Sequence, residues 1–524
     1  MFLLPLLIAC SSDKSTSTQA EGAYDYSNED NDAYYEDAPT DTEDGGFADT
    51  GMAGESNDDG LGSETEDAAP LLRPATTNRF VFVANPDRNT VSRINVEELT
   101  VITAEVGTNP ILVETSSDFT KAITFNAGSD SISIIDSASM DVFDISVRSN
   151  LNQMKLSPDG KWVICYHDLS AEEGGTGSGG AISFNAISIV NLDTFEHIEA
   201  VVGSHPHDIQ FTEDSSLAVV IADDYLAAID LSVDTPTPTR IAIADDLVNP
   251  PRAEEVLLDP AGRYALVRQY AVDQLVLVDL QTNEVSRLEV GANPTDMDVS
   301  KDGAKAFVIA RVAKEIWIYD LEDPTIIPVV LPIPEEEVFG SLLLSPSGEQ
   351  GILFSTVSGE ARFGLWDRST DEITIRSLVK PISGVEINPT SDTSIFFHPR
   401  ENGDISSSSP FYNKFGISLV DMDDLFSSAY QLANEPRSFA HTPDGTLGFY
   451  TMENLSYLEI LDYQSFVPSE LQLPSNPIHL GSLPETNTVF VSQEHALGRI
   501  SFYNSDEEKL QTITGFELNS AIEQ

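Results

Sequence analysis

From Arg79 onward the sequence alternates short apolar runs with short polar breaks. The first stretch reads "FVFVAN", "TVSRIN", "TVITAE" and "PILVET", with turn-forming residues between the runs. β-Branched and aromatic residues bounded by Gly, Pro, Asn and Asp predict strands joined by tight turns. Four short strands recurring about every 40–50 residues predict a blade of a β-propeller.

The phrase that closes each unit gives the count. It reads "NPILVETSSD", "NLNQMKLSPDG", "HPHDIQFTEDS", "RAEEVLLDPAG", "NPTDMDVSKDG", "FGSLLLSPSG", "ISGVEINPTS", "EPRSFAHTPDG", "NPIHLGSLPETN" and a shortened "LNSAIEQ", so ten units are expected. The fold class is therefore all-β, a single propeller of four-stranded blades over residues 73–524, with fewer blades plus irregular extra strands as the competing arrangement. The first unit begins at its second strand and the last stops inside a closing phrase. "NSAIEQ" is thus expected to complete the first blade, leaving no sheet edge to pair with other molecules. In "VGANP" we expect Gly291 to permit a tight turn and Pro294 to open an innermost strand, where a missing N–H is tolerated.

"VFVAN", "NTVSRINVEE" and "EVGTNP" resemble the bacterial YVTN-type propeller repeat, whose relatives include lactonase-like propellers and heavy chains of periplasmic quinoprotein dehydrogenases. The resemblance covers residues 79–524, with "SPDG" intact only at Ser157 to Gly160. It implies the fold more than a function, because one fold hosts many functions.

The first ten residues, "MFLLPLLIAC", are too short to span a bilayer, which needs roughly 20 apolar residues as a helix, and they suit an export signal. Leu7-Ile8-Ala9-Cys10 resembles the bacterial lipobox, which implies a signal peptide over 1–9, lipid attachment at Cys10 and membrane attachment through that lipid. Ser11, where an Asp favours the inner membrane in such proteins, points to the outer membrane of the cell envelope. With Cys10 lipidated, Cys165 has no disulfide partner, and in "WVICY" it reads as a small buried hydrophobe. Residues 10–72 form an acidic segment without apolar periodicity, expected to be a disordered tether.

Charge narrows the partners. The net charge is −59, from 86 acidic and 27 basic side chains. Nucleic acid is excluded as an expected partner, since binding it requires Lys and Arg to neutralise phosphates. No cofactor is expected beyond calcium held loosely at acidic turns such as "DMDD", residues 421–424.

Successive connections within a blade alternate between the two faces of the disc. The loop entering the innermost strand and the loop between the second and third strands therefore share a face. Both long insertions, residues 167–180 and 398–415, fall in the second class, and long loops on one rim are where partners are recognised. Arg400, Glu401, Asn402, Phe411 and Tyr412 are the candidate contacts of the second loop. Residues following the entering prolines should ring the channel mouth: Ile111, Asn152, His207, Thr295, Ile382, Arg437 and Ile478, with Arg252 and Glu254 close by. Among them Asn152, His207, Arg252, Thr295 and Arg437 are the candidate binding residues, because cations and a histidine suit an anionic group. His205 projecting beside His207, with His479, is too sparse a pattern to predict a metal.

Nucleophile elbows, phosphate loops, paired-His motifs and haem-attachment Cys pairs are missing from the sequence. The sequence thus favours a non-catalytic binding or scaffolding module that engages an envelope protein or glycan. The alternative is an envelope enzyme, a lactonase-like hydrolase or a quinoprotein-type dehydrogenase subunit, with its site around His207, Arg252 and Arg437.

Overall fold

In a computed structural model, described for residues 72–169, 184–259, 261–423 and 425–516, the strands assemble into ten four-stranded antiparallel sheets. In chain order they are blades 1 to 10, spanning residues 75–105, 110–146, 153–201, 208–242, 253–289, 294–332, 341–377, 384–432, 436–472 and 477–514. The one helical element among the described residues is a single turn, Pro86–Arg88. The predicted count of ten four-stranded units is what the chain forms.

Burial explains why the second and third strands read as near-continuous apolar runs. Each blade packs a neighbour on both faces, so Phe80–Asn85 and Lys121–Asn126 are buried at every residue but the first. Outer strands meet solvent instead, and Glu284–Glu289 is exposed or half-exposed throughout. Cys165 lies in Trp162–Tyr166, fully buried, and burial pushes its thiol well above the ordinary range.

Ten apolar clusters fill the interfaces between successive blades. The cluster joining Val81, Val83 and Ile94 of blade 1 to Phe490, Ile500 and Phe502 of blade 10 closes the ring. The last interface is therefore built like the other nine. One detail differs from the sequence reading: the innermost position of blade 1 is held by Ala75–Thr76, which precedes the second strand in the chain. The segment expected there, residues 519–524, lies outside the described residues.

The recurring V-G-x-N-P phrase divides its work differently from the expectation. Gly291 does not adopt a positive φ; the left-handed residue is Asn293, at φ 56°. Asn109 and His205 hold the same place at 54° and 53°. Gly291 is needed for space, because a Cβ there would lie 2.7 Å from the Cβ of Ala313. The corner is tied to the preceding blade by the Asn293 N–H, which donates to Asp273 Oδ1 at 2.8 Å, as the Asn109 N–H does to Asn89 Oδ1 at 2.9 Å. These bonds confirm that the entering loops and the second-to-third-strand turns share a face. Asn tolerates the left-handed region better than residues lacking its short polar side chain, so Asn293→Ala should cost about 1 kcal/mol in chemical denaturation while leaving the melting slope unchanged.

Polar side chains stitch the innermost strands to one another around the channel. Leu156 N–H donates to Glu114 Oε2 (3.1 Å), Met297 N–H to Glu255 Oε2 (2.9 Å) and Leu342 N–H to Asp296 Oδ2 (2.6 Å), each across a blade boundary. Carboxylates here satisfy edge N–H groups that an unpaired inner strand would leave open. Glu114 is held up to about 7, chiefly by burial, against the opposing effects of the Leu156 N–H and nearby Lys155. A carboxyl raised in the folded state gives stability that is full below its ordinary pKa near 4.5 and is lost as pH rises through 7. Glu114→Gln keeps an acceptor for Leu156 and removes the charge. It should stabilise the protein by about 1–3 kcal/mol at pH 8 and by nothing measurable at pH 4, read from urea melts at both.

Candidate functional site

The shared face carries the candidate residues, and the inner-strand register decides what each can do. Ladder pairing shifts by one residue between Pro110 and Leu112, Ala253 and Glu255, Pro294 and Asp296, Pro436 and Ser438, and Pro477 and His479. The skipped residues, Ile111, Glu254, Thr295, Arg437 and Ile478, occupy equivalent bulges at the channel mouth. Bulges of this kind re-aim a side chain. In blade 5 the equivalent residue is Glu254, and Arg252 lies two residues before it, exposed ahead of Ala253–Leu258.

Structural bonds occupy several of these side chains. Thr295 is buried and its hydroxyl donates to Gly340 O, in the segment entering blade 7, at 2.7 Å. Asn152 is buried too; its amide donates to Asp168 O and accepts the Asp168 N–H, both at 2.8 Å, closing the base of the long loop of blade 3. Residues 170–183 of that loop lie outside the described residues. Arg437 pairs with Glu453 at 2.7 Å and Glu435 at 4.0 Å. Arg268, which the sequence reading missed, is buried and bonds both Glu254 and Glu255.

His205 and His207 do not project together. His205 is the left-handed corner residue, and the strand Asp208–Phe211 begins only after His207. Its Nδ1 sits 3.2 Å from Asp223 Oδ2, while His207 Nδ1 donates to His205 O at 3.2 Å. His479 belongs to blade 10, four blades round the ring from blade 4. Among the described residues no group of three His, Cys, Asp or Glu side chains is placed to hold a metal ion. In the 421–424 turn, Asp421 Oδ1 accepts the N–H of Asp423, and Asp424 lies outside the described residues.

The loop between Thr393–His398 and Phe415–Asp421 of blade 8 is different, because its base is built from buried polar groups. Lys380, in the linker entering blade 8, is fully buried. Its ammonium donates to the carbonyls of Arg400 (3.1 Å) and Lys414 (2.6 Å), one at each end of the loop. Burial lowers its pKa, with Glu401 opposing. His398, also fully buried, donates from Nδ1 to Pro381 O at 2.8 Å and accepts at Nε2 from the Ser418 hydroxyl at 2.7 Å. Within the loop, Asn402 and Asn413 exchange two bonds of 2.6 Å. Phe411 is half-buried, its ring next to Gly416, where a Cβ would approach it to 3.2 Å. Arg400, Glu401 and Tyr412 are left exposed on this braced frame. Nothing in "LVKPIS" signals the latch, because a lone lysine in a linker reads as surface; only its contacts reveal it.

No known family profile and no curated protein matches the chain. Among solved structures it is similar to the dihydro-heme d1 dehydrogenase NirN in complex with DHE, at 15% identity and TM-score 0.42, over 68% of this chain and 74% of that one. It is also similar to apo AztD from Citrobacter koseri, at 14% and 0.41 over 72% and 99%, and to a eukaryotic initiation factor, at 11% and 0.47 over 74% and 95%. The ten-blade architecture rests on this chain's own sheets and interfaces.

Proposed function

We propose that the protein is a lipid-anchored β-propeller of the bacterial cell envelope that binds a protein or glycan partner without chemistry, through the face carrying the long loops. The observation that carries this reading is the loop 399–414, braced at both ends by Lys380 and presenting Arg400, Glu401 and Tyr412 to solvent. Tyr and Arg are enriched among residues that dominate binding energy, and a loop held in one shape loses less freedom on binding. The anchor and outer-membrane location rest on the Leu7-Ile8-Ala9-Cys10 resemblance and Ser11.

The test is crosslinking capture from envelopes with the full chain, beside a variant whose residues 399–414 are replaced by a short Gly-Ser turn. A discrete partner captured by the first and lost from the second is the expected result. Capture unaffected by the replacement would overturn the assignment of the face. The enzymatic reading is tested separately by His207→Ala and Arg437→Ala in substrate screens, where loss of a turnover present in the parent would replace the binding reading.

A further inference from the structure

Directly opposite residues of a blade's third and outermost strands stand on one side of the sheet, with Cβ atoms about 4.5–5.5 Å apart. At the place that Ser188 and Glu199 hold in blade 3, blade 9 sets Glu459 opposite Glu470. Every other blade has at most one charged side chain in that pair. Like charges directly opposite destabilise a sheet.

Blade 3 shows how a charge at this place is answered. Arg148, in the segment leaving blade 2, gives its N–H to Ser188 Oγ at 2.9 Å and pairs with Glu199 at 2.8 Å. Counting along the ladders, the corresponding residue of the segment leaving blade 8 is Ala433. Further along, Arg437 is engaged by Glu453 and Glu435. Among the described residues no ion pair answers Glu459 or Glu470.

The other groups around the pair carry no positive charge near neutral pH. Tyr450 stands opposite Glu459 on the second strand, and Tyr457 lies two residues before it on its own. Blade 8 contributes Phe415, Ile417 and Leu432 to the cluster it shares with blade 9, and one titratable side chain, Tyr430, whose hydroxyl bonds Phe466 O and Ser428. Deeper in the same interface Tyr463 bonds His441 Nδ1 at 2.9 Å and feels Glu386; burial lowers His441 to about 4. Glu459 is half-buried and Glu470 exposed. Glu459 is pushed up to about 7, first by burial and then by Glu470.

We infer that Glu459 and Glu470 form a pH-sensitive clasp on the outermost strand of blade 9, closed while Glu459 holds a proton and loosening Val467–Gln472 when both carboxyls are ionised. A carboxyl raised by the fold gives stability that is full below its ordinary value near 4.5 and is lost as pH rises through 7. The strand is bonded along one side only, so it can yield while the ring stays closed.

Hydrogen exchange of the full-length protein from pH 5 to 8 tests this, read as protection factors relative to intrinsic rates at each pH. The Leu473 N–H donates to Ser456 O at 2.8 Å, so by alternation the Leu471 and Ser469 amides also point inward. Their protection should fall roughly tenfold over this range, less than the full shift would give because Glu470 is open to solvent. Leu447–Met452 of the same blade should stay protected. Glu459→Gln should abolish the fall. Glu470→Gln, which removes the repulsion, and Ala433→Arg, which supplies the cation that blade 3 has, should each diminish it. A fall that is absent from the parent, equal in Leu447–Met452, retained in Glu459→Gln, or undiminished in either other variant overturns the clasp.

Discussion

Trp366→Ala should lower the stability of the ring by about 3–5 kcal/mol, the loss expected when a large aromatic leaves a closed core. Trp366 is 1% exposed and meets the ring of Phe307 edge-on, with centroids 5.3 Å apart, in the interface between blades 7 and 6. Arg368 lies over both rings, 4.5 Å from the centre of Phe307 and 5.9 Å from that of Trp366. Substitution by Ala would leave a cavity that two rigid sheets cannot collapse to fill. Trp366→Phe, which retains most of the apolar contact, should cost distinctly less. Urea melts followed by tryptophan-independent circular dichroism give both values. A loss below about 1 kcal/mol for the alanine variant would mean that the interface is not packed as described.

The second large effect is expected at Lys380. Lys380→Met keeps the apolar stem and removes both bonds to the loop carbonyls. Hydrogen bonds from a charged donor contribute about 1.5–3 kcal/mol each, so amides of residues 400–414 should exchange roughly 10- to 100-fold faster while the central strands stay protected. Unchanged exchange would show that the loop does not depend on the latch. Acid should loosen the same region through His398, whose pKa is lowered to about 4, first by burial and then by Lys380, with the Pro381 bond opposing. A histidine kept neutral in the fold gives stability that is full above its ordinary 6.5 and is lost as pH falls from there towards 4. Protection factors of the loop amides, taken relative to their intrinsic exchange rates at each pH, should therefore fall from pH 6.5 to 4.

How much of this was legible in the sequence depended on repetition. The blades were, because each repeats the same strand and turn residues, and one degenerate copy is corrected by nine others. The shared face followed from strand parity alone. Contacts that occur once were not legible. Arg437 in the ring and Arg252 close by it both read as cations at the channel mouth, yet the bulge position in blade 5 belongs to Glu254, and Arg437 is paired with Glu453. Periodicity places residues at a height on the ring but says nothing about which neighbour bonds them. His205 beside His207 looked like a pair because an extended strand was assumed; the left-handed corner turns them apart. Nothing in the sequence sets the acidic residues of the inner strands apart from the other acidic side chains, whereas Glu114, Glu255 and Asp296 join blades.

The most direct test of the proposed recognition face is site-specific photo-crosslinking in intact envelopes, with the photoreactive residue placed at Tyr412 in one protein and at Arg252 in another. A discrete adduct from position 412 and none from position 252 is the predicted result. An adduct from 252 alone would contradict the account and move the binding site to the channel mouth.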